Sequence, residues 1–372
     1  MNYLPQLYIS IQTRLFPMIE EEIGEITVKM KEFLQIVELS RPARFLTDAM
    51  RWCGLGRPMA SREKMLRAFF LKSVHDLPTT KLLIENLRTN PTWRQLCGWE
   101  YANEVPSEAT FSRAFKEFAE ARLGERIHET IVTEQCVDRL VGHSSKDSTA
   151  IHGREKACRK NTSKTEAKKK RGRKSAAEKA LLAEQEAAEV KTRRLELQPG
   201  RTLADNLADL PQGCDWGGKK NSKGKTEYWR GYKLHLDFGD GGIPLAAILT
   251  SASVHDSQAA IPLMQMSAAR GATVLYDLAD SAYDADEIKA FSRSLGHVPI
   301  IDPNPRRGDA LELAPAEKIR YRERTTAERG NSELKDNYGA NHVRVKGHLK
   351  VFCHLMFGVI AVITKQLFNL LE

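Results

Sequence analysis

The chain has 372 residues, 41% of them apolar, and a formal charge of +9 from 57 Lys and Arg against 48 Asp and Glu. That length buries a large core, which excludes a disulfide-stapled miniprotein, and the six cysteines (Cys53, Cys97, Cys136, Cys158, Cys214 and Cys353) show no C-x-x-C pair or zinc-site spacing. The opening M-N-Y-L-P-Q-L lacks a secretory pattern, so a reducing cytoplasm is the expected compartment, with no membrane.

From Arg14 to about Ile131, apolar residues recur every three or four positions, as in E-K-M-L-R-A-F-F-L-K-S-V and T-K-L-L-I-E-N-L. This spacing predicts a helical N-terminal domain over residues 1–135. Within it, N-P-T-W-R-Q-L-C-G-W and V-P-S-E-A-T-F-S-R-A-F-K-E-F read as two short helices joined by a turn, the second N-capped by Ser107. Thr110, Ser112 and Arg113 then stand near the start of that helix, where helix N-termini dock on DNA; a plain packing unit is the competing reading.

A second domain, residues 136–372, opens with L-V-G-H-S-S-K-D-S-T-A-I, a strand pattern diluted by polar residues. An insertion follows at about 153–225. Its residues 154–174 hold 11 Lys or Arg and 2 Glu, so the whole excess charge lies there and the remaining 46 basic and 46 acidic residues cancel. Clustered cations displace counterions from phosphates, which makes Lys168, Lys169, Lys170, Arg171, Arg173 and Lys174 candidate DNA contacts; a solvated loop is the alternative. The K-R-G-R-K core is also similar to short Arg-Gly-Arg hooks that lie in A/T-rich minor grooves. The Ala, Glu and Lys-rich stretch after it, residues 175–197, predicts a helix.

Stronger strand patterns come next: Y-W-R-G-Y-K-L-H-L-D-F, I-P-L-A-A-I-L-T-S-A-S, A-T-V-L-Y-D-L-A-D and V-P-I-I-D, with G-D-G-G-I-P as a hairpin turn. Helical patterns from about Ser257 to Arg270 and Asp284 to Leu295 alternate with the last three, so an α/β core with helices packed on a sheet is expected. Asp256 reads as the N-cap of the first of these helices. The apolar run from Val351 to Leu371, interrupted by His354, Lys365, Gln366 and Asn369, predicts a core helix rather than a membrane span.

Tyr321, Arg324, Glu328 and Lys335 are offset by 3, 7 and 14 residues, which at about 100° per residue places them on one stripe of an α-helix. A carboxylate beside an aromatic hydroxyl and two cations suits a metal ion holding a phosphate; a solvated face laced with ion pairs is the bland alternative.

The segment Y-R-E-R-T-T-A-E-R-G-N-S-E-L-K, residues 321–335, resembles the Y-(2)-R-(3)-E-(6)-K signature of bacterial insertion-sequence DDE transposases. K-D-S-T-A-I (146–151) and L-A-D-S-A-Y-D (278–284) resemble the two aspartate strands of that family, in the expected order. The resemblance covers residues 139–335, and the long basic insertion is a departure from the family pattern. It implies an RNase H-like core, a mixed sheet flanked by helices, in which Asp147, Asp280 and Glu328 converge to hold two Mg2+ or Mn2+ ions. It further implies that Tyr321, Arg324 and Lys335 position DNA. The implied activity is metal-dependent cleavage at transposon ends and strand transfer, on double-stranded terminal inverted repeats and target DNA, by a homodimer or larger assembly associated with the bacterial nucleoid. A DNA-binding protein without catalysis and an RNase H-like nuclease are the other functions that the residues allow.

Overall fold

The computed structural model describes residues 3–56, 58–137, 139–158, 193–220, 224–304 and 312–372. The N-terminal region is helical, as its periodicity requires. Tyr3–Ser10 (α1) and Phe16–Ile23 (α2) run together through a π-helical turn at Ile11–Leu15, and Val28–Ser40 (α3) follows. Arg62–Val74 (α4) starts where the Ser61 hydroxyl accepts from the Lys64 amide at 3.3 Å. Thr80–Thr89 (α5) starts likewise on Thr79, and Pro91–Leu96 (α6) on Asn90, with Pro91 in the first turn where no amide is needed. Glu108–Glu120 (α7) and Leu123–Cys136 (α8) complete the set.

The sheet begins with Leu140–His152 (β1). Two short helices, Arg194–Leu197 (α9) and Leu203–Asp209 (α10), precede Asp215–Lys220 (β2), a strand within the insertion that its own sequence does not announce. Thr226–Gly239 (β3) is long enough to pair β2 along its first half and Ile243–Ser251 (β4) along its second, all antiparallel. The G-D-G-G-I-P turn links β3 to β4 as expected. After Ser257–Ala269 (α11) come Thr273–Ala279 (β5), Asp286–Ser294 (α12) and Val298–Ile301 (β6), with β5 parallel to β1 and β6 parallel to β5. The resulting order, β4-β3-β1-β5-β6 with β2 as an added strand, is a mixed RNase H-like sheet flanked by helices.

The helices bearing the Tyr-Arg-Glu-Lys stripe come last. Pro315–Tyr321 (α13) passes through a 3-10 turn at Arg322–Arg324 into Thr325–Asn337 (α14), so the single α-helix expected there is broken by one tighter turn. Finally His348–Asn369 (α15) packs against β4 and against α3, α4, α7 and α8, and one hydrophobic core runs through both halves of the chain. This helix is long and apolar enough to cross a membrane, but its apolar surface is buried inside the protein, the core placement expected for it.

Alternation along the strands sends neighbouring residues to opposite faces. On one face Ser267 of α11 donates to Asp237 and Ser292 of α12 donates to Asp277; on the other, Asn331 of α14 donates to Asp147. Gly330 sets how closely α14 approaches. A Cβ there would sit 2.4 Å from the Phe238 ring of β3, so any larger residue lifts the helix from the sheet.

Candidate active site

Two of the three expected acids are brought together by strand register. Lys146 of β1 pairs with Ala279 of β5 in the parallel ladder, so Asp147 and Asp280 are the next position along adjacent strands, at the end of β5. Neither is fully buried. The Asp147 Oδ2 accepts from Asn331 Nδ2 at 2.9 Å, and the Asp280 Oδ1 accepts from the Ala282 amide at 2.9 Å, capping the short turn after β5. Both carboxyls are pushed above the usual carboxylate range, first by burial, which their hydrogen bonds only partly offset. Like charge adds to it: Asp280 raises Asp147, and Asp256 raises Asp280.

Directly behind them, on the opposite face, the chain buries a charged cluster. The Lys146 ammonium lies 2.5 Å from Asp277 and 3.5 Å from Asp237, and donates to Ser144 at 2.8 Å. Burial alone would raise the Asp277 carboxyl, but Lys146 and the bonds from His297 and Ser292 hold it well below the usual range. Burial alone would also lower Lys146, yet Asp237 and Asp277 outweigh it and keep the lysine charged. The ion pairs tie β1 to β3 and β5 one residue before Asp147.

The helical stripe approaches from the other side. Arg324 donates to the exposed Glu328 at 2.5 Å, and its guanidinium lies 5.6 Å from the Tyr321 ring. Although burial opposes its charge, Tyr321, Glu328 and Asp147 hold Arg324 more firmly protonated than usual, and its positive charge in turn reaches Asp280. Tyr321 is half-buried, and burial raises its hydroxyl. Lys335 is lowered by burial and by Lys219, with Asp336 and Asp147 acting in the opposite direction. Tyr321, Arg324 and Lys335 therefore reach the strand acids electrostatically, and Glu328 is linked to them through its pair with Arg324.

Among the described residues no group of three His, Cys, Asp or Glu side chains stands close enough to hold a metal ion. The donors are nonetheless hard oxygens of the kind Mg2+ and Mn2+ take: Asp147 and Asp280 side by side, Glu328 on the helix above, and Asn331, whose buried Oδ1 has no hydrogen-bond partner. Adjacent, partly buried carboxyls with raised affinity for protons are sites where a cation relieves an electrostatic penalty.

Other expectations fall differently. Thr110, Ser112 and Arg113 lie on the first two turns of α7, Ser112 and Arg113 exposed, with Arg113 donating to Thr110 at 3.2 Å. The preceding α6 ends at Leu96, so residues 97–107, with a 3-10 turn at Ala102–Glu104, replace the tight turn expected between the two helices. Asp256 occupies the position before α11 but makes no capping bond; it accepts instead from Lys233 Nζ at 2.8 Å. Glu333 turns away from the acids and pairs with Lys365 of α15 at 2.6 Å. Lys168, Lys169, Lys170, Arg171, Arg173 and Lys174, with most of the predicted helix 175–197, lie outside the described residues.

Sequence reasoning missed two side chains of the site. Asn331 stands three residues after Glu328, on the same helix face, and that spacing was a usable signal. Lys219 reaches the site electrostatically from β2, acting on Asp147, Asp280 and Lys335. Nothing in its local sequence marks it, because β2 is brought there by pairing with β3.

A family model described as "Transposase DDE domain" matches residues 146–363, and one described as "Transposase domain (DUF772)" matches residues 22–117. No curated protein and no solved structure matches the chain.

Proposed function

We propose a division of labour for this chain, which belongs to the transposase DDE-domain family and is a DNA transposase. Asp147, Asp280 and Glu328 are the catalytic acids. The observation that carries this is the apposition of Asp147 and Asp280 by register, beside a helical segment from which Tyr321, Arg324 and Lys335 reach them electrostatically and on which Glu328 is paired with Arg324.

These three acids would hold two Mg2+ or Mn2+ ions, which when bound activate the attacking oxygen and stabilise the leaving oxygen of a phosphodiester. The side chains supply the rest. The Lys146 cluster fixes the strand positions of Asp147 and Asp280, and Asn331 orients the Asp147 carboxylate. Arg324 and Lys335 contact phosphate oxygens of the transposon end, and the Tyr321 ring supports the Arg324 guanidinium. When phosphate takes over Arg324, Glu328 is released from its ion pair to serve as a ligand. Water attacks first and frees a 3′ hydroxyl; that hydroxyl then attacks target DNA, exchanging one phosphodiester for another without an external energy source.

The helical region 1–135 serves DNA-end binding, with Thr110, Ser112 and Arg113 on its exposed α7 face, and the basic stretch 168–174 adds phosphate contacts. Because two transposon ends must be paired, a dimer or larger assembly on DNA follows. The test is cleavage and joining by purified protein with Mg2+ on duplexes carrying the inverted repeats that flank the gene. Ends cut and joined by the wild type, and left intact by Asp147→Asn, Asp280→Asn and Glu328→Gln, support the assignment. Undiminished cutting by all three variants would sink it, and cutting without joining would make the chain a nuclease only.

A further inference from the structure

Away from the acids, a 440 Å³ groove opens between the N-terminal helices and the segment joining α14 to α15. Lys72, Arg154, Arg344, Lys346 and Lys350 line it, against the single carboxylate of Glu108. These cations come from three separated stretches of chain, and all but Arg154 lie outside the basic stretch 154–174, where positive and negative charges along the sequence cancel and do not reveal them. The side chain of none of the five forms a hydrogen bond or a close ion pair among the described residues. Lys72 is the unusual member. It is only 7% exposed yet lines the groove, and burial lowers its ammonium to about 8, with Asp76 acting only at longer range.

The backbone favours the same kind of ligand. The first turns of α5, α7 and α15 contribute Thr80, Glu108 and Lys350 to the lining, so three helix N-termini converge on one opening. At α7 and α15 the N-cap residues, Ser107 and Gly347, supply no side-chain cap to the first turn, and the positive ends of the helix dipoles favour an anion there. The wall carrying Arg344 and Lys346 is firmly seated: the Gly347 amide donates to Glu155 at 3.0 Å, His348 Nε2 bonds the Leu249 carbonyl at 2.8 Å, and Tyr232 donates to the same Glu155. Phe69, Phe111 and Phe115 form an apolar floor.

We propose that this groove is a second DNA-binding site, gripping the phosphate backbone of the transposon-end duplex some distance from the bond that is cut. The inference rests on the transposase reading above. Charge complementarity selects a phosphodiester chain: five unpaired cations and three helix N-termini match several successive phosphates better than one isolated anion. Its position fits as well. Arg154 follows the end of β1 at His152, five residues beyond Asp147, which at ~3.3 Å per residue is roughly 17 Å, or about five base pairs of B-form rise. The groove then holds the duplex about half a helical turn from the acids and sets which phosphate reaches them.

The experiment is fluorescence anisotropy with a duplex of the sequence flanking the gene, without divalent metal, across a range of salt. The proteins are the full-length wild type, the triple variant Arg344→Ala/Lys346→Ala/Lys350→Ala, Lys72→Met, and Arg14→Ala as an exposed cation outside the groove, each checked for native circular dichroism. The triple variant should bind at least about tenfold more weakly, with a salt slope lower by about two to three, near 0.9 for each phosphate no longer neutralised. Methylphosphonate substitution at single phosphates should weaken the wild type at a short run of positions and leave the triple variant unaffected there. A triple variant that binds within about threefold of wild type, with the same slope and the same interference pattern, overturns the groove. A wild type that fails to bind the flanking duplex at all overturns instead the reading on which it rests.

Discussion

Replacing Lys146 by Met keeps the length of the side chain and removes its charge, which isolates the role of the buried cluster behind the acids. At an effective dielectric near 20 the separations of 2.5 Å to Asp277 and 3.5 Å to Asp237 correspond to a gross attraction of about 7 and about 5 kcal/mol. Desolvation offsets most of that, and breaking a buried pair by removing one partner costs a net ~3–5 kcal/mol because the remaining charges are left uncompensated. The loss should appear as a fall in thermal midpoint of about 5 °C at pH 7.5. Its pH dependence has a definite sign. In the wild type the Asp277 carboxyl is held low, so its stabilising contribution is present above the unfolded carboxylate range and disappears as pH falls through and below it. In Lys146→Met the same buried carboxyl is penalised for ionising, a penalty that vanishes on protonation. The gap between the two proteins should therefore be widest near neutrality and narrow toward pH 4, and Asp277→Asn should restore part of the lost stability in the Lys146→Met background. Thermal melts of the three proteins at pH 7.5 and pH 4.5 decide the matter. A gap smaller than about 1 kcal/mol, or one that widens in acid, would refute the reasoning.

Three further outcomes are expected. Because burial holds Asp147 and Asp280 above the usual carboxylate range, they destabilise the metal-free fold increasingly as pH rises through that range; added Mg2+ should raise the thermal midpoint at pH 7.5 more than at pH 4.5, and Asp147→Asn should abolish the difference. Gly330→Ala drives a methyl into Phe238 and should cost about 1–3 kcal/mol by chemical denaturation, with a larger fall in cleavage than in DNA binding as the helix carrying Glu328 moves outward. Arg324→Gln frees Glu328 but removes a cation from the phosphate, so anisotropy should show weaker end binding with a salt slope lower by about one, and cleavage should drop at sub-saturating DNA.

Much of the architecture is legible in the chain because it rests on local periodicity. The strand and helix patterns from β3 to β6 follow apolar alternation, and α15 follows its long apolar run. What escaped depends on pairing between distant segments. β2, with its two glycines and terminal lysines, carries little strand signal of its own and exists because β3 offers it an edge. The Tyr-Arg-Glu-Lys stripe and its i,i+4 pair Arg324–Glu328 were visible from spacing, yet the 3-10 turn inside it, which packs against β1 and β5, was not. Asp147 and Asp280 could be singled out by motif, but their raised proton affinity comes from burial, which no spacing encodes. The cationic groove was hidden for a related reason: Lys72 reads as one more polar position on an amphipathic helix until residues 344–350 fold over it.

The seat of α15 also dictates when this protein comes into being. The helices of the first third and the sheet of the middle both leave apolar surface that is sealed only by residues 348–369, with Gly358 nested against Leu334 and Tyr338 at the join. A nascent chain on the ribosome thus carries Asp147, Asp280 and Glu328 before it has the pillar that braces their elements, and it completes assembly only when that pillar emerges from the exit tunnel. A chain without this helix would leave the apolar faces of both halves uncovered, an unsupported scaffold open to aggregation.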